Sequence, residues 1–329
     1  MCLMTICYIT TDTEYDFGFT RRRGPASRGE NFNRSIRCAT SSGDVGICYQ
    51  MDVLDRFGLK AVFFVDPMPA LVWGISAIED IVRPIVERGH DVQLHMHTEW
   101  LELAGNANPI GKKTGSNIKD FSPDQQCTLL GYAKDVLVAA GAPAPVAFRA
   151  GNYGASDDTL RALASVGLRY DTSHCPGFHG SPCTISLTST HRTPIEHCGL
   201  IEVPIGCIAG PHGALRHAQI TALSATEVGS AIEHCVAHGI GHFTLVSHSF
   251  ELTSRDRTHV NRIVRRRFEK LCAKLATIAG AIVGTYTANP PQACPQNGMD
   301  CAPVLPLNPA RLGFRLAEQA IGNALYGRR

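Results

Sequence analysis

Short apolar runs alternate along the chain with longer segments of helical period, the pattern of a repeated βα unit around a parallel sheet or barrel. The first run predicts a strand over Thr5–Thr10. Further strands are predicted at Ala61–Val65, Val92–His95, Val146–Arg149, Leu168–Tyr170, Ile201–Ile205, His242–Ser247 and Ala281–Tyr286. The helical segments between them are Val45–Phe57, closed by Gly58, then Ala77–Arg88, a helix ending near Ala140, Asp157–Val166, one opening at Ser224, and Val260–Ile278. Two of the N-termini are written into the side chains. Ser122-Pro123-Asp124-Gln125 offers an N-cap, a proline at the first helical position and a capping-box glutamine, and Ser224 with Glu227 forms a second capping box.

From Asn289 to Leu307, proline and glutamine break any period, which predicts an irregular linker. A last amphipathic helix is predicted over 308–329, so the chain divides into a barrel at 1–288, a linker at 289–307 and this tail. Leu312, Leu316, Ala320 and Ala324 share one face of the tail helix, Arg311 and Arg315 sit beside it, and Arg328 and Arg329 close the chain. That face is expected to dock on the chain's own barrel, with a partner or a membrane surface as alternatives.

Composition narrows the picture. With 44% hydrophobic residues the chain can bury a full core, and a formal net charge of +2 supplies no single-sign field to attract nucleic acid. No run of ~18 apolar residues predicts a spanning helix. Thirteen cysteines, an odd count without a C-x-x-C pair, read as small core residues in a reducing compartment. The start MCLMTICYIT lacks the basic region and length of a secretion signal, and a cytoplasmic location is expected.

In a parallel barrel the reactive groups gather at the C-terminal ends of the strands. The first predicted strand ends in Thr10-Thr11-Asp12-Thr13-Glu14. If the extended conformation persists, Asp12 and Glu14 share a face, and two converging carboxylates need a cation or a proton between them. A solvated acidic loop is the plainer reading. His95 and His97 also share a face by strand period, with Glu99 following, and imidazole is the common ligand of a borderline ion such as zinc. His90, ahead of that strand, reads as structural. Arg149 ends a strand before the loop Ala150-Gly151-Asn152-Tyr153-Gly154; it can grip a carboxylate, and the glycines let backbone amides approach a ligand. His248 follows an apolar strand, where it could hand a proton to a leaving amine. Asp171 could orient or tune that histidine, or simply form a turn.

Taken in order, these clusters resemble the NodB-type polysaccharide deacetylases, carbohydrate esterase family four, over residues 4 to about 287. Within that family the chain looks most like a subgroup associated with surface-polysaccharide loci, which shares strings such as His95-Met96-His97-Thr98-Glu99-Trp100 and the loop from Phe148 to Gly154. The resemblance implies an α/β fold, a distorted, incomplete (β/α) barrel of about seven strands. It also implies a metal-dependent hydrolase that removes an acyl group, acetyl in the first place, from an amide on an amino sugar or polysaccharide precursor, with an amino sugar or oligosaccharide as substrate. By motif position, Asp12 is then the base, Glu14 a metal ligand, His95 the first histidine ligand, Arg149 the partner of the base and His248 the general acid. Asp171 matches the aspartate of the fourth motif. The family's second histidine falls on Glu99 here, so either Glu99 or His97 completes the ligand set of a divalent ion, zinc first among candidates. The tyrosine whose amide serves the oxyanion is shifted by one residue, which makes it Tyr153 by residue type or Asn152 by offset, with Tyr153 preferred. A small-molecule amidase of the same fold and a non-catalytic sugar-binding relative are the alternatives.

Overall fold

The computed structural model describes residues 4–294 and 302–327. Cys2 and the other first residues, the stretch 295–301 of the predicted linker, and Arg328 and Arg329 lie outside the described residues.

Nine strands form one sheet: β1 (Thr5–Thr13), β2 (Val62–Val65), β3 (Asp91–Met96), β4 (Ala147–Ala150), β5 (Tyr170–Asp171), β6 (Ile195–His197), β7 (Leu200–Glu202), β8 (His242–His248) and β9 (Ala281–Val283). The order is β8-β1-β2-β3-β4-β5-β7-β6, with β9 paired to the first residues of β1. All neighbours are parallel except β6 and β7, which form an antiparallel hairpin. The expected incomplete barrel is present. Its two additional strands are that hairpin arm and the short β9. Parallel neighbours require crossovers, supplied by α1 (Ile47–Arg56), α2 (Ser76–Glu87), α3 (Pro123–Ala139), α4 (Asp157–Ser165), α5 (Ala225–Ala237) and α6 (Arg262–Leu275). Both predicted capping boxes form, at Ser122 with Gln125 and at Ser224 with Glu227.

Between β5 and β8 irregular backbone carries the hydrogen bonds. Val203 N donates to Asp171 O at 2.7 Å, Gly206 N to Thr244 O at 2.9 Å, and Ile220 N to Val246 O at 3.1 Å. Gly206 permits this approach, since a Cβ there would lie 2.8 Å from the Phe243 ring.

Strands buried on both faces carry apolar residues of both parities. Cys7, Ile9, Phe63, Val65, Leu94, Met96 and Phe148 pack in the large cluster that includes the helices. Tyr8, Val62, Phe64, Ala147, Tyr170 and Tyr286 fill a separate cluster inside the barrel. Period two then extends the interior parity to Asp12, Asp66, His95 and Arg149 at the strand ends. Asp171 has the opposite parity, because Tyr170 occupies the interior.

The tail helix α7 (Pro309–Tyr326) is capped by Asn308. Arg315 is buried against Glu227 of α5 at 3.0 Å, and Arg267 of α6 pairs with Glu318 at 2.9 Å. The face turned to the barrel is therefore the charged one. Of the four residues expected to dock, Leu312 is half-buried, whereas Leu316, Ala320 and Ala324 are exposed. The reason is electrostatic: Glu227, held in its capping box and buried, needs a cation, and Arg315 reaches it. Among the described residues all cysteines are free, and no helix is long and apolar enough to cross a membrane.

Candidate active site

Parallel register sets distant residues side by side at the barrel mouth. Asp12 lies opposite His248 across β1 and β8, and His95 opposite Arg149 across β3 and β4. Arg149 is fully buried and reaches across the interior, so its charge must be met inside the protein. Its Nη1 donates to Asp12 Oδ1 at 2.5 Å, its Nη2 to Thr10 Oγ1 at 2.9 Å, and its guanidinium stacks 4.4 Å from the Phe64 ring centroid. The other Asp12 oxygen faces His248 Nε2 at 3.9 Å.

Beside this pair, Glu14, His95 and His97 converge, with one donor atom from each inside a 4.8 Å group. Glu14 Oε2 is 3.1 Å from His95 Nε2 and 2.5 Å from His97 Nε2. The second nitrogen of each ring is already committed. His95 Nδ1 lies 2.8 Å from the Arg149 carbonyl, which only accepts, so the proton is on Nδ1 and the Nε2 lone pair turns toward Glu14. His97 Nδ1 lies 3.2 Å from Glu99 Oε2. Burial opposes charge on both Glu14 and His97, but their mutual attraction outweighs it: the Glu14 carboxyl is held well below the usual range and the His97 ring well above it. The His97 charge thus occupies a place that suits a cation. Two imidazoles, each with a committed outer partner, and a carboxylate are the donor set of open catalytic zinc sites, so these residues fit a divalent ion.

Glu99 stands behind His97 and also accepts from Asn152 Nδ2 at 3.0 Å. Of the two candidates for the third position, His97 is therefore the one whose free donor faces Glu14 and His95. Gly151 sits against the same ring, and a Cβ there would lie 2.8 Å from His97 Nδ1. Asp66 was not singled out from the sequence. It follows β2 at interior parity, accepts from Met68 N at 3.0 Å and leaves a buried Oδ2 without a partner. Burial pushes its carboxyl up to about 7. The only sequence signal was its position directly after the apolar run ending at Val65.

His248 departs from expectation in its partner. Its Nδ1 lies 3.0 Å from Glu251 Oε1, a buried carboxylate on the turn after β8. Asp171 instead accepts from Ser173 N and Ser173 Oγ, each at 2.9 Å. It also lies opposite Glu202 in register, where burial and the neighbouring Asp171 charge raise the Glu202 carboxyl well above its ordinary value. The strand parity that places Tyr170 in the barrel turns Asp171 away from it, so the predicted tuning of His248 by Asp171 gives way to Glu251. His90, read as structural, accepts from Ala61 N at 3.1 Å.

After β4 the chain turns through Asn152 and Tyr153, both at positive φ, 56° and 58°. A bulky side chain in this region is strained, by about 1–3 kcal/mol. Asn152 is exposed and Tyr153 half-buried, next to the Asp12–Arg149 pair. Such consecutive turns can aim backbone amides at an anion.

The polysaccharide deacetylase family matches residues 49–170, a span that includes His95, His97 and Arg149. Among curated proteins, none matches this sequence. Among solved structures, a protein from Mycobacterium smegmatis provisionally assigned as a polysaccharide deacetylase superposes with a TM-score of 0.55 at 16% identity, covering 90% of this chain and 96% of that one. The 4-alpha-glucanotransferase of Thermococcus litoralis has a TM-score of 0.50 at 12% identity, covering 86% of this chain and 39% of that one. A family 4 carbohydrate esterase from Streptomyces lividans gives 0.42 at 13% identity, over 92% of this chain and 100% of that one. At these identities the first two likenesses speak for the fold, which serves more than one chemistry. Over residues 49–170 the chain is thus similar to the polysaccharide deacetylases, and its fold is one shared with a protein assigned to that group.

Proposed function

We propose that the protein is a divalent-metal-dependent hydrolase that removes an acyl group, acetyl in the first place, from the amide nitrogen of an amino sugar. The observation that carries this reading is the convergence of Glu14, His95 and His97 beside the Asp12–Arg149 pair and His248 at one barrel mouth. The sugar comes from the family match; the hydrolytic chemistry comes from the side chains.

Glu14, His95 and His97 would hold the ion, with Glu99 orienting His97 from behind. Bound there, zinc or a similar ion would polarise the acyl carbonyl and acidify water. Asp12 takes the proton of the attacking water, and Arg149 keeps that carboxylate ionised and aimed. The Tyr153 amide, on its strained turn, is the donor to the developing oxyanion, a contribution typically worth on the order of a hundredfold in rate. His248, kept protonated by Glu251, delivers its proton to the departing nitrogen.

Elemental analysis with acetate release from N-acetylated chitooligosaccharides tests the assignment. Wild type should hold about one ion; His95→Ala and His97→Ala should lose it with the activity, and Glu99→Gln should keep a more weakly held ion. Equal metal content in wild type and His95→Ala would refute the site.

A further inference from the structure

The tail helix presents an unusual surface. Of nine large apolar side chains exposed among the described residues, four lie on α7: Phe314 at 52%, Leu316 at 51%, Ile321 at 54% and Leu325 at 64%. Ala310, Phe314, Ala317, Ile321 and Leu325 follow spacings of three and four, so they form one stripe along the helix. The barrel does not cover this stripe, because the ion pairs that hold α7 down are made along its flank, by Arg315 and Glu318. A helix that puts its charged face inward and its apolar face outward is the reverse of an ordinary surface helix.

We infer that α7 is an interfacial anchor that seats this face of the protein on an anionic lipid surface. Two observations select that occupant. The first is area: the stripe is five side chains of one helix, against the roughly 20–30 residues a side of a standard stable interface. A second copy of the chain packed stripe to stripe would thus fall short of a stable dimer, whereas partition into a bilayer boundary has no such threshold and scales with the apolar area inserted.

The second observation is charge. Between residues 255 and 270 the sequence has seven basic residues against two acidic ones, although the whole chain has a net charge of only +2. This segment contains α6, which packs beneath α7 through Arg267 and Glu318. Arg255, Arg262, Arg266 and Lys270 are exposed and form no ion pair among the described residues. Arg262 and Leu325 line the same depression, so the basic rim adjoins the apolar stripe directly. No acidic residue of α7 points outward, since its one acid, Glu318, is paired with Arg267. An apolar ridge beside unpaired cations matches the acyl boundary and phosphate layer of an anionic membrane. The helix lies in the interface plane and does not span it.

Flotation of the full chain with phospholipid vesicles tests the inference. Wild type should float with vesicles containing one-third phosphatidylglycerol, and bind pure phosphatidylcholine vesicles at least about tenfold less. The triple variant Phe314→Ser, Ile321→Ser, Leu325→Ser should lose vesicle binding by about tenfold or more while keeping its circular dichroism and unfolding temperature, because all three side chains are solvent-exposed. Arg262→Gln with Arg266→Gln should weaken binding to the anionic vesicles only. Wild type that stays in solution with both vesicle types would overturn the inference. So would equal binding of wild type and triple variant. A concentration-dependent dimer in light scattering, abolished by the triple variant and unaccompanied by vesicle binding, would assign the stripe to a second copy instead.

Discussion

Replacing Glu251 with glutamine isolates the acid half of the proposed mechanism. Burial alone would draw His248 below its ordinary 6.5, but the hydrogen bond and charge of Glu251, followed by Asp12 and Glu14, push it up to about 9. That difference is about 3 kcal/mol of preference for the imidazolium. Because the folded-state value is raised, His248 stays protonated up to about pH 9, and a reaction that needs its proton should decline only above that pH. Glu251→Gln removes the largest raising influence and leaves desolvation in place, so the alkaline limb should fall toward 6.5. At pH 8 the protonated fraction would drop from about nine-tenths to a few per cent, a loss in kcat of roughly 10–30-fold on an N-acetyl sugar. Near pH 6 the loss should shrink to less than about twofold. The assay is acetate release from a chitooligosaccharide between about pH 6 and 10, with wild type and variant loaded with the same metal. A loss by the same factor at every pH would refute the reasoning and reduce Glu251 to a packing residue.

Asp12→Asn should abolish turnover yet retain metal, whereas Glu14→Gln should lose both; an Asp12→Asn protein that also comes out empty would mean that the two carboxylates share the ion. Gly151→Ala changes no proposed ligand, but its Cβ would press on His97 Nδ1, so metal affinity should fall by about 10–100-fold by competition with a chelator. Unchanged affinity would show that the loop yields. Arg149→Met leaves Asp12 buried without its cation and should cost about 3–5 kcal/mol in denaturant unfolding, with part of the loss recovered in the double variant Arg149→Met, Asp12→Asn. Strictly additive losses would mean the pair is not coupled.

Much of the site was legible because parallel barrels collect chemistry at strand ends, and Asp12, His95, Arg149 and His248 all stand at the ends of apolar runs. Asp66 stands there too, but a single aspartate after an apolar run is indistinguishable from a turn residue until its burial is known. Glu251 was hidden for a different reason. It reaches His248 by a three-residue turn after β8, and nothing in its neighbours marks it as buried rather than solvated.

Local periodicity and capping chemistry are properties of consecutive residues, so the sequence by itself determined the βα alternation, both capping boxes and the tail helix starting at Asn308. Which face each strand-end residue presents depends on where its strand stops and what fills the barrel. Tertiary structure alone therefore decided that His97 faces Glu14 while Glu99 stands behind it, and that Tyr170 takes the interior and turns Asp171 away from His248. The tail helix shows the same division: its amphipathic pattern is local, but the buried Glu227 on another helix determined that its charged face, and not its apolar one, meets the barrel.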